Sequence, residues 1–385
     1  MDRLVSKYIG IFVFVALFLN IASSWQAYRN APLREAASRS LMAGNSRFFY
    51  DSGLVEPLPV FDLKAAMFFG ADPDTAIKAE GLAVFAAITV LTLLVMRRRY
   101  GPVAGAMSAM FLGGNPFMGY YAMRGGSHLY ALLFLLLFWH WFDAEKPDTP
   151  GSALAGIAGG LACLSRLDSA WFILLCAGIL LAVKRRDFNF KAAGISLGLA
   201  FLLVLPYLAY QKVQYGNFIY AQELSLRRWS NTDRYGYNTS QVMPTDPMSP
   251  AAFIFRDGAG SALRGAFSGL GRSFSYELPK VLYYKFLIVL VFLGTYAAFM
   301  LKKDGLLVFF AAAFLPVLAL APIRQVPATG GIELRYYLWA LWGFCALAGL
   351  GFQEIMNWGE AQLVSYVEAK AKAYLESVKK PEKKD

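Results

Sequence analysis

GLAVFAAITVLTLLVMRRRY, residues 81–100, is an apolar run that ends in three consecutive arginines. The part from Gly81 to Met96 carries no charged side chain. A membrane-spanning helix needs about 20 mostly apolar residues, and somewhat fewer when flanking charged side chains reach the interface. The stretch therefore predicts a helix that crosses a bilayer, with Arg97, Arg98 and Arg99 at one of its ends.

Comparable runs occur along the whole chain. Only 16% of the 385 residues are charged and 57% are hydrophobic, whereas soluble domains carry about 25% charged residues. The predicted fold class is therefore an all-α polytopic membrane protein with about ten transmembrane helices. The predicted spans are Tyr8–Trp25, Gly81–Met96, Pro102–Ala122, Leu129–Phe142, Ala153–Leu167, Ala170–Val183, Ala192–Gln211, Tyr284–Leu301, Gly305–Ala321 and Tyr336–Met356.

The basic residues alternate from loop to loop. With ten crossings, one side receives Arg3, Lys7, Arg97–Arg99, Lys146, Lys184–Arg186, Lys302, Lys303 and the lysines of the C-terminal segment. By the positive-inside rule that side is the cytoplasm. The formal charge of +11 is thus read as a topology signal, and nucleic-acid binding is not expected. We expect both termini in the cytoplasm and the chain in a bacterial inner membrane.

This topology divides the chain in two. Residues 1–356 form the predicted transmembrane module, with outer loops at about 26–80 and 212–283. Residues 357–385 form a basic tail whose apolar residues fall on one helical face. A helix lying on anionic lipid is the expected arrangement for this tail, and docking of a protein partner is the alternative.

Charged residues at the predicted outer helix ends are the candidates for function. Arg166 and Asp168 lie near an apolar core, where ionisable groups are costly and are usually paired or functional. A purely structural Arg–Asp pair is an equal alternative. Arg124 stands beside a glycine pair, and Arg335 precedes Tyr336. Several arginines at one outer cavity would suit a phosphate group, because guanidinium matches phosphate oxygens in bidentate fashion.

An ordered series of short motifs resembles the GT-C glycosyltransferases, and in particular the polyprenyl-phosphate-sugar-dependent protein and lipid A transferases. The series covers most of the chain to about Met356. It consists of Arg34-Glu35-Ala36, Glu56-Pro57-Leu58-Pro59, Phe69-Gly70, Arg97–Gly101, Asn115-Pro116, Gly156–Leu161 running to Ser165-Arg166, Pro206-Tyr207, Tyr215-Gly216-Asn217 and Glu333-Leu334-Arg335-Tyr336.

The resemblance implies that a sugar is transferred from a polyprenyl phosphate to a periplasmic glycan, lipid or protein. A carboxylate would act as general base on the acceptor hydroxyl. Glu35 is the first candidate for this base, and Asp51 and Glu56 are the alternatives. Arg166, Arg335 and Arg124 would hold the donor phosphate. The substrate path would be lined by Tyr336, Arg34 and Asp168. No cofactor is required by this scheme, and the use of a divalent metal is left open.

One departure from the family pattern affects the active site. The family's catalytic aspartate falls on Arg34 here, with Glu35 beside it. A membrane scaffold that kept the fold and lost the base is therefore a rival hypothesis. A carrier or flippase for a lipid-linked sugar is a further one, although the chain shows no internal repeat of the kind found in transporters.

Overall fold

The computed structural model describes residues 2–53, 56–144, 148–184, 188–224, 252, 255, 257–320 and 334–379. Within these ranges every regular secondary-structure element is helical. In chain order they are α1 (Asp2–Tyr28), α2 (Arg34–Asn45), α3 (Pro57–Phe68), α4 (Pro73–Tyr100), α5 (Pro102–Gly113), α6 (Pro116–Met123), α7 (Ser127–Phe142), α8 (Thr149–Ser165), α9 (Ser169–Val183), α10 (Phe190–Tyr215), α11 (Ala259–Arg272), α12 (Leu278–Leu282), α13 (Leu287–Met300), α14 (Asp304–Leu320) and α15 (Leu338–Lys379). A π-helical turn, Ser273–Glu277, joins α11 to α12, and a 3-10 turn, Leu334–Tyr337, precedes α15.

The multi-pass membrane architecture predicted from the sequence is confirmed, and helices occupy all ten predicted spans. In the described residues, four helices are long and apolar enough to cross a bilayer, or up to six if two bent pairs each make one crossing. Three further apolar helices are shorter, at 10–17 residues. The predicted count of ten crossings therefore stays a prediction.

The predicted span Pro102–Ala122 is two helices rather than one. The helix is interrupted at Gly114 and Asn115. The Asn115 side chain accepts a hydrogen bond from the Phe117 amide at 2.9 Å and caps α6. Asn20 of α1 donates to the carbonyls of Gly113 and Asn115, both at 2.8 Å. Backbone groups freed at membrane depth must be satisfied inside the protein, and these asparagines do so.

The bundle core is built around α15. This helix packs against α13 and α5, and α8 packs between α7 and α10. Gly294 allows the closest approach, since a Cβ added there would lie 1.8 Å from the Leu347 carbonyl oxygen. Small residues at such crossings let two membrane helices approach within backbone contact. Trp139, Phe309 and Trp342 fill the space beside this crossing, with ring centroids 4.3–5.5 Å apart.

The first outer loop forms a helical layer over one end of the bundle. α2 and α3 pack on each other and on α4 around a small core that includes Val60, Leu63 and Ile77. The buried Lys78 donates hydrogen bonds to the carbonyls of Arg29 at 2.8 Å and Ala31 at 2.7 Å. This layer is therefore fixed to the end of α1 and brings its polar residues over the ends of α7, α8 and α9.

The described part of the second outer loop is tied to the start of α15. The buried Tyr337 hydroxyl lies 2.6 Å from Glu277 Oε2 and 2.9 Å from Ser273 Oγ. At the opposite end of the bundle, Gln353 of α15 accepts from the Ala104 amide at 2.9 Å and donates to the Tyr100 carbonyl at 2.8 Å. Gly101, with φ 115°, makes that α4–α5 turn. From there α15 continues unbroken past the predicted boundary at residues 356/357.

Candidate active site

The turn between α8 and α9 carries the central ion pair. α8 ends at Ser165 and α9 begins at Ser169, so the turn consists of Arg166, Leu167 and Asp168. Arg166 Nε lies 2.9 Å from Asp168 Oδ1, and its Nη2 lies 2.6 Å from Asp168 Oδ2. Both side chains are mostly buried, at 16% and 24% exposure. The bidentate contact fixes the guanidinium plane and leaves Nη1 turned away from the carboxylate.

Glu56 meets this turn from the outer layer. It is the last residue before α3, and its Oε1 accepts a hydrogen bond from the Leu167 amide at 3.1 Å. Loss of water around the carboxyl group raises the pKa of Glu56, and the nearby Arg166 counteracts only part of that rise. A partly exposed carboxylate of raised pKa beside a guanidinium is therefore present at the outer surface.

The starts of α7 and α15 complete the site. Arg166 Nη1 lies 3.4 Å from both Ser127 Oγ and His128 Nδ1. The His128 ring contacts the Tyr336 ring edge-on at 5.5 Å, and Arg335 Cζ lies 5.6 Å from the centre of the Tyr336 ring. These elements thus bring two carboxylates, two guanidiniums, an imidazole and a phenol together. The cluster stands at the N-terminal end of α9, opposite the end that leads to Lys184.

The other predicted site residues lie elsewhere or outside the described side chains. Arg124 is exposed, and its guanidinium lies 5.3 Å from the ring centre of Tyr120. Asp51 accepts a hydrogen bond from the Tyr210 hydroxyl of α10 at 2.9 Å. The backbone of Arg34 and Glu35 begins α2, but their side chains lie outside the described part of the chain.

A second polar group beside the site was not predicted. Arg39 of α2, Asp62 of α3, Glu80 of α4 and Tyr130 of α7 converge under the outer layer. The Tyr130 hydroxyl hydrogen-bonds to Asp62 and lies 3.3 Å from Glu80 Oε2, and Arg39 Nη2 donates to the Gly125 carbonyl at 2.7 Å. The usable sequence signal was Asp62, the only acidic residue in the largely apolar Pro57–Phe68.

The site carries both positive charge and a proton acceptor on side chains of the protein. No three His, Cys, Asp or Glu side chains among the described residues lie close enough to hold a metal ion. Arg166 and Arg335 supply fixed positive charge, and Glu56 supplies a proton acceptor. Such a pairing can hold a phosphate ester and take a proton from a hydroxyl group close by.

Comparison with known proteins identifies the class of fold. Residues 65–210 match the family model described as dolichyl-phosphate-mannose-protein mannosyltransferase. This segment runs from α3 to α10 and includes the Arg166–Asp168 turn. The resemblance to GT-C glycosyltransferases predicted from the sequence is thereby confirmed.

Among solved structures, the chain has the fold of ArnT from Cupriavidus metallidurans, a crystal structure described with undecaprenyl phosphate bound. The TM-score is 0.56 at 13% sequence identity, and the match covers 95% of this chain. The chain spans 64% of the length of that protein. No curated protein sequence matches the chain.

Proposed function

We propose that this protein is an inverting membrane glycosyltransferase that takes a sugar from a polyprenyl-phosphate donor and passes it to a hydroxyl group on a glycan, lipid or protein. The GT-C-like fold supports this class of activity. The single observation that carries the assignment is the contact between Glu56 and the Arg166 turn, because it puts a proton acceptor beside a phosphate-binding cation.

The reaction needs one base and one stabilised leaving group. The acceptor oxygen attacks the anomeric carbon of the donor sugar and loses its proton to Glu56. The bond from that carbon to the phosphate oxygen breaks, and polyprenyl phosphate leaves. Arg166 and Arg335 stabilise the charge that develops on the departing phosphate. Asp168 is assigned the role of orienting Arg166, because its two oxygens accept hydrogen bonds from Nε and Nη2 of the guanidinium.

Glu35 and Asp51 are the alternative bases. Asp51 accepts a hydrogen bond from the Tyr210 hydroxyl at 2.9 Å, whereas Glu56 contacts the turn that carries Arg166, and this contact favours Glu56. Glu35 begins α2 on the same outer layer, and its role has to be decided by substitution.

The test is sugar transfer by the purified full-length protein in nanodiscs. A panel of radiolabelled polyprenyl-phosphate sugars is supplied with membrane extract as acceptor. Three variants are compared with the wild type: Glu56→Gln, Glu35→Gln and Asp51→Asn. We expect Glu56→Gln to lower kcat/KM by about 100-fold or more, as loss of a general base does. Asp51→Asn removes the other alternative base but keeps an oxygen acceptor for Tyr210, and it should stay within about threefold of the wild type if Glu56 is the base.

The outcomes separate the hypotheses. Transfer that survives in Glu56→Gln but vanishes in Glu35→Gln keeps the enzyme and moves the base to α2. Folded protein that transfers no sugar from any donor favours a membrane scaffold, as the arginine at position 34 suggests.

A further inference from the structure

We infer that the basic end of the bundle holds a second anion site, which binds a phosphate group. A cavity of about 690 Å³ opens there between the ends of α4, α7 and α9 and the starts of α8 and α14. It lies at the C-terminal end of α9, whereas the candidate active site lies at the N-terminal end. The inference is therefore independent of the proposed glycosyl transfer.

One wall of the cavity is a rigid ion-pair network. Asp143 Oδ2 lies 2.8 Å from Arg99 Nη1, and its Oδ1 lies 2.7 Å from Lys184 Nζ. The Asp143 side chain is only 6% exposed, and Gly305 makes room for it, since a Cβ there would lie 1.7 Å from Oδ2. Arg99 also stacks over the Trp139 ring at 4.4 Å. Because the two oxygens of one buried carboxylate bind two cations, the three side chains hold one another in place.

The cavity is also lined by cations that this network does not use. Arg98, Lys302 and Lys303 line the cavity, and none of the ion pairs found in the described residues includes them. Lys303 Nζ lies 6.0 Å from the centre of the Tyr100 ring. The lining holds three acids: Asp143 is already paired, Asp148 caps α8 through the Gly151 amide at 2.8 Å, and Asp304 begins α14. Five basic side chains line the same cavity, so its net charge is positive.

A buried, unpartnered nitrogen lies in the cavity wall. His140 lines the same cavity, and its Nδ1 is buried without a hydrogen-bond partner among the described residues. A buried ring nitrogen left unpaired is costly. Guanidinium, ammonium and imidazole groups together are the donors that recognise phosphate oxygens.

The apolar rim favours a lipid as the source of that phosphate. Leu154 lines the cavity and is 43% exposed on the surface of the bundle, and Trp141 lines it as well. Cations with an adjoining apolar surface at the end of membrane helices match a lipid headgroup and the start of its acyl chains. A soluble phosphate would contact the same cations but would leave the apolar rim uncovered.

The experiment measures binding to the full-length protein in a neutral detergent. The ligands are dioctanoyl phosphatidic acid and dioctanoylglycerol, which differ only in the phosphate. The test variant is Arg98→Gln/Lys302→Gln/Lys303→Gln. The control variant, Arg97→Gln/Lys370→Gln/Lys372→Gln, removes as many charges from exposed positions outside the cavity lining. Thermal stability in detergent is measured for both, and neither variant touches the candidate active site.

We expect saturable binding of phosphatidic acid that falls about tenfold or more in the test variant and changes less than about twofold in the control. Dioctanoylglycerol should not bind. Inorganic phosphate is then added as a competitor. If it fails to displace the lipid, the site binds a lipid headgroup. If it displaces the lipid at a concentration similar to that of the lipid, the site binds soluble phosphate. Equal losses in both variants, or binding of dioctanoylglycerol with the same affinity, would overturn the inference.

Discussion

Glu56 shows how one side chain acquires its chemistry from its surroundings. It is the N-cap residue of α3, and Pro59 at the third helical position has no amide N–H for a capping side chain to bond. The Glu56 carboxyl group is therefore free to reach the Leu167 amide rather than cap its own helix. Crowding by protein atoms then raises its pKa.

The pH dependence of transfer follows from the direction of that shift. A base acts only when ionised, so we expect kcat/KM to rise with pH along an acid limb above the ordinary glutamate value of about 4.3. Because Arg166 lowers the pKa of Glu56, Arg166→Gln should move this limb to higher pH. The sign for stability is opposite: a raised pKa in the folded state makes folding less favourable as pH increases above the unfolded value. An acid limb that stays in place in Arg166→Gln would argue against Glu56 as the titrating group.

The two arginines at positions 124 and 166 form a matched pair for testing phosphate contacts. Arg166 lies in the polar cluster, and Arg124 lies over Tyr120 at the surface. Lysine keeps the charge but loses the planar fork. We expect Arg166→Lys to reduce kcat/KM for the donor by about tenfold or more, and Arg124→Lys to change it by less than about twofold. Similar losses of kcat/KM in both variants would indicate that Arg124 also contacts the donor phosphate.

Single residues could be predicted where partners are close in sequence. Arg166 and Asp168 are two positions apart, and the sequence predicted either a structural ion pair between them or a functional site. Arg39, Asp62, Glu80 and Tyr130 come from four separate helices, and their meeting depends on how α2 and α3 fold over the bundle. Glu80 is the last residue of the predicted outer loop 26–80, and no sequence pattern linked it to Asp62 or Tyr130.

At the scale of the elements, the α13–α15 crossing depends on glycine. Gly294→Ala would bring a Cβ to 1.8 Å from the Leu347 carbonyl oxygen. The two helices must then separate, and we expect a loss of roughly 2 kcal/mol, seen as a lower Tm in detergent. Gly198→Ala in α10 is the control, because nothing lies within 4 Å of an added Cβ there, and alanine favours a helix by about 1 kcal/mol. A lower Tm in both variants would show that the crossing is not the cause.

Apolar runs predicted where helices occur but not where they break. Hydropathy is continuous from Pro102 to Ala122, so one span was expected. The break at Asn115 depends on bonds to Asn20, 95 residues away, and to the Val281 carbonyl at 3.2 Å. Likewise, α6 and α7 are bent by 118° around a turn that contains Gly125 with φ 61°. Contacts between distant segments decide both features, and local sequence does not carry them.

For the whole molecule, the two ends of α4 provide a direct test of orientation. Ala71, just before α4, and Arg97, in its last turn, are both exposed. The natural cysteines Cys163, Cys176 and Cys345 are buried, so they contribute little background labelling. We expect a membrane-impermeant maleimide to label Ala71→Cys only from the outer side of the cell membrane and Arg97→Cys only after access to the cytoplasm. Labelling of both variants from one side would contradict the predicted topology.

The length of α15 has a mechanical consequence. Its 42 residues form one continuous rod, about 63 Å long, roughly twice the thickness of a bilayer core. One end starts beside Arg335 and Tyr336, and the side chains from 355 to 372 at the other end are exposed. A stiff rod works as a lever, so a tilt of about 10° displaces its tip by about 11 Å. Any small tilt at the end that carries Arg335 and Tyr336 would therefore move the exposed end by several times as much.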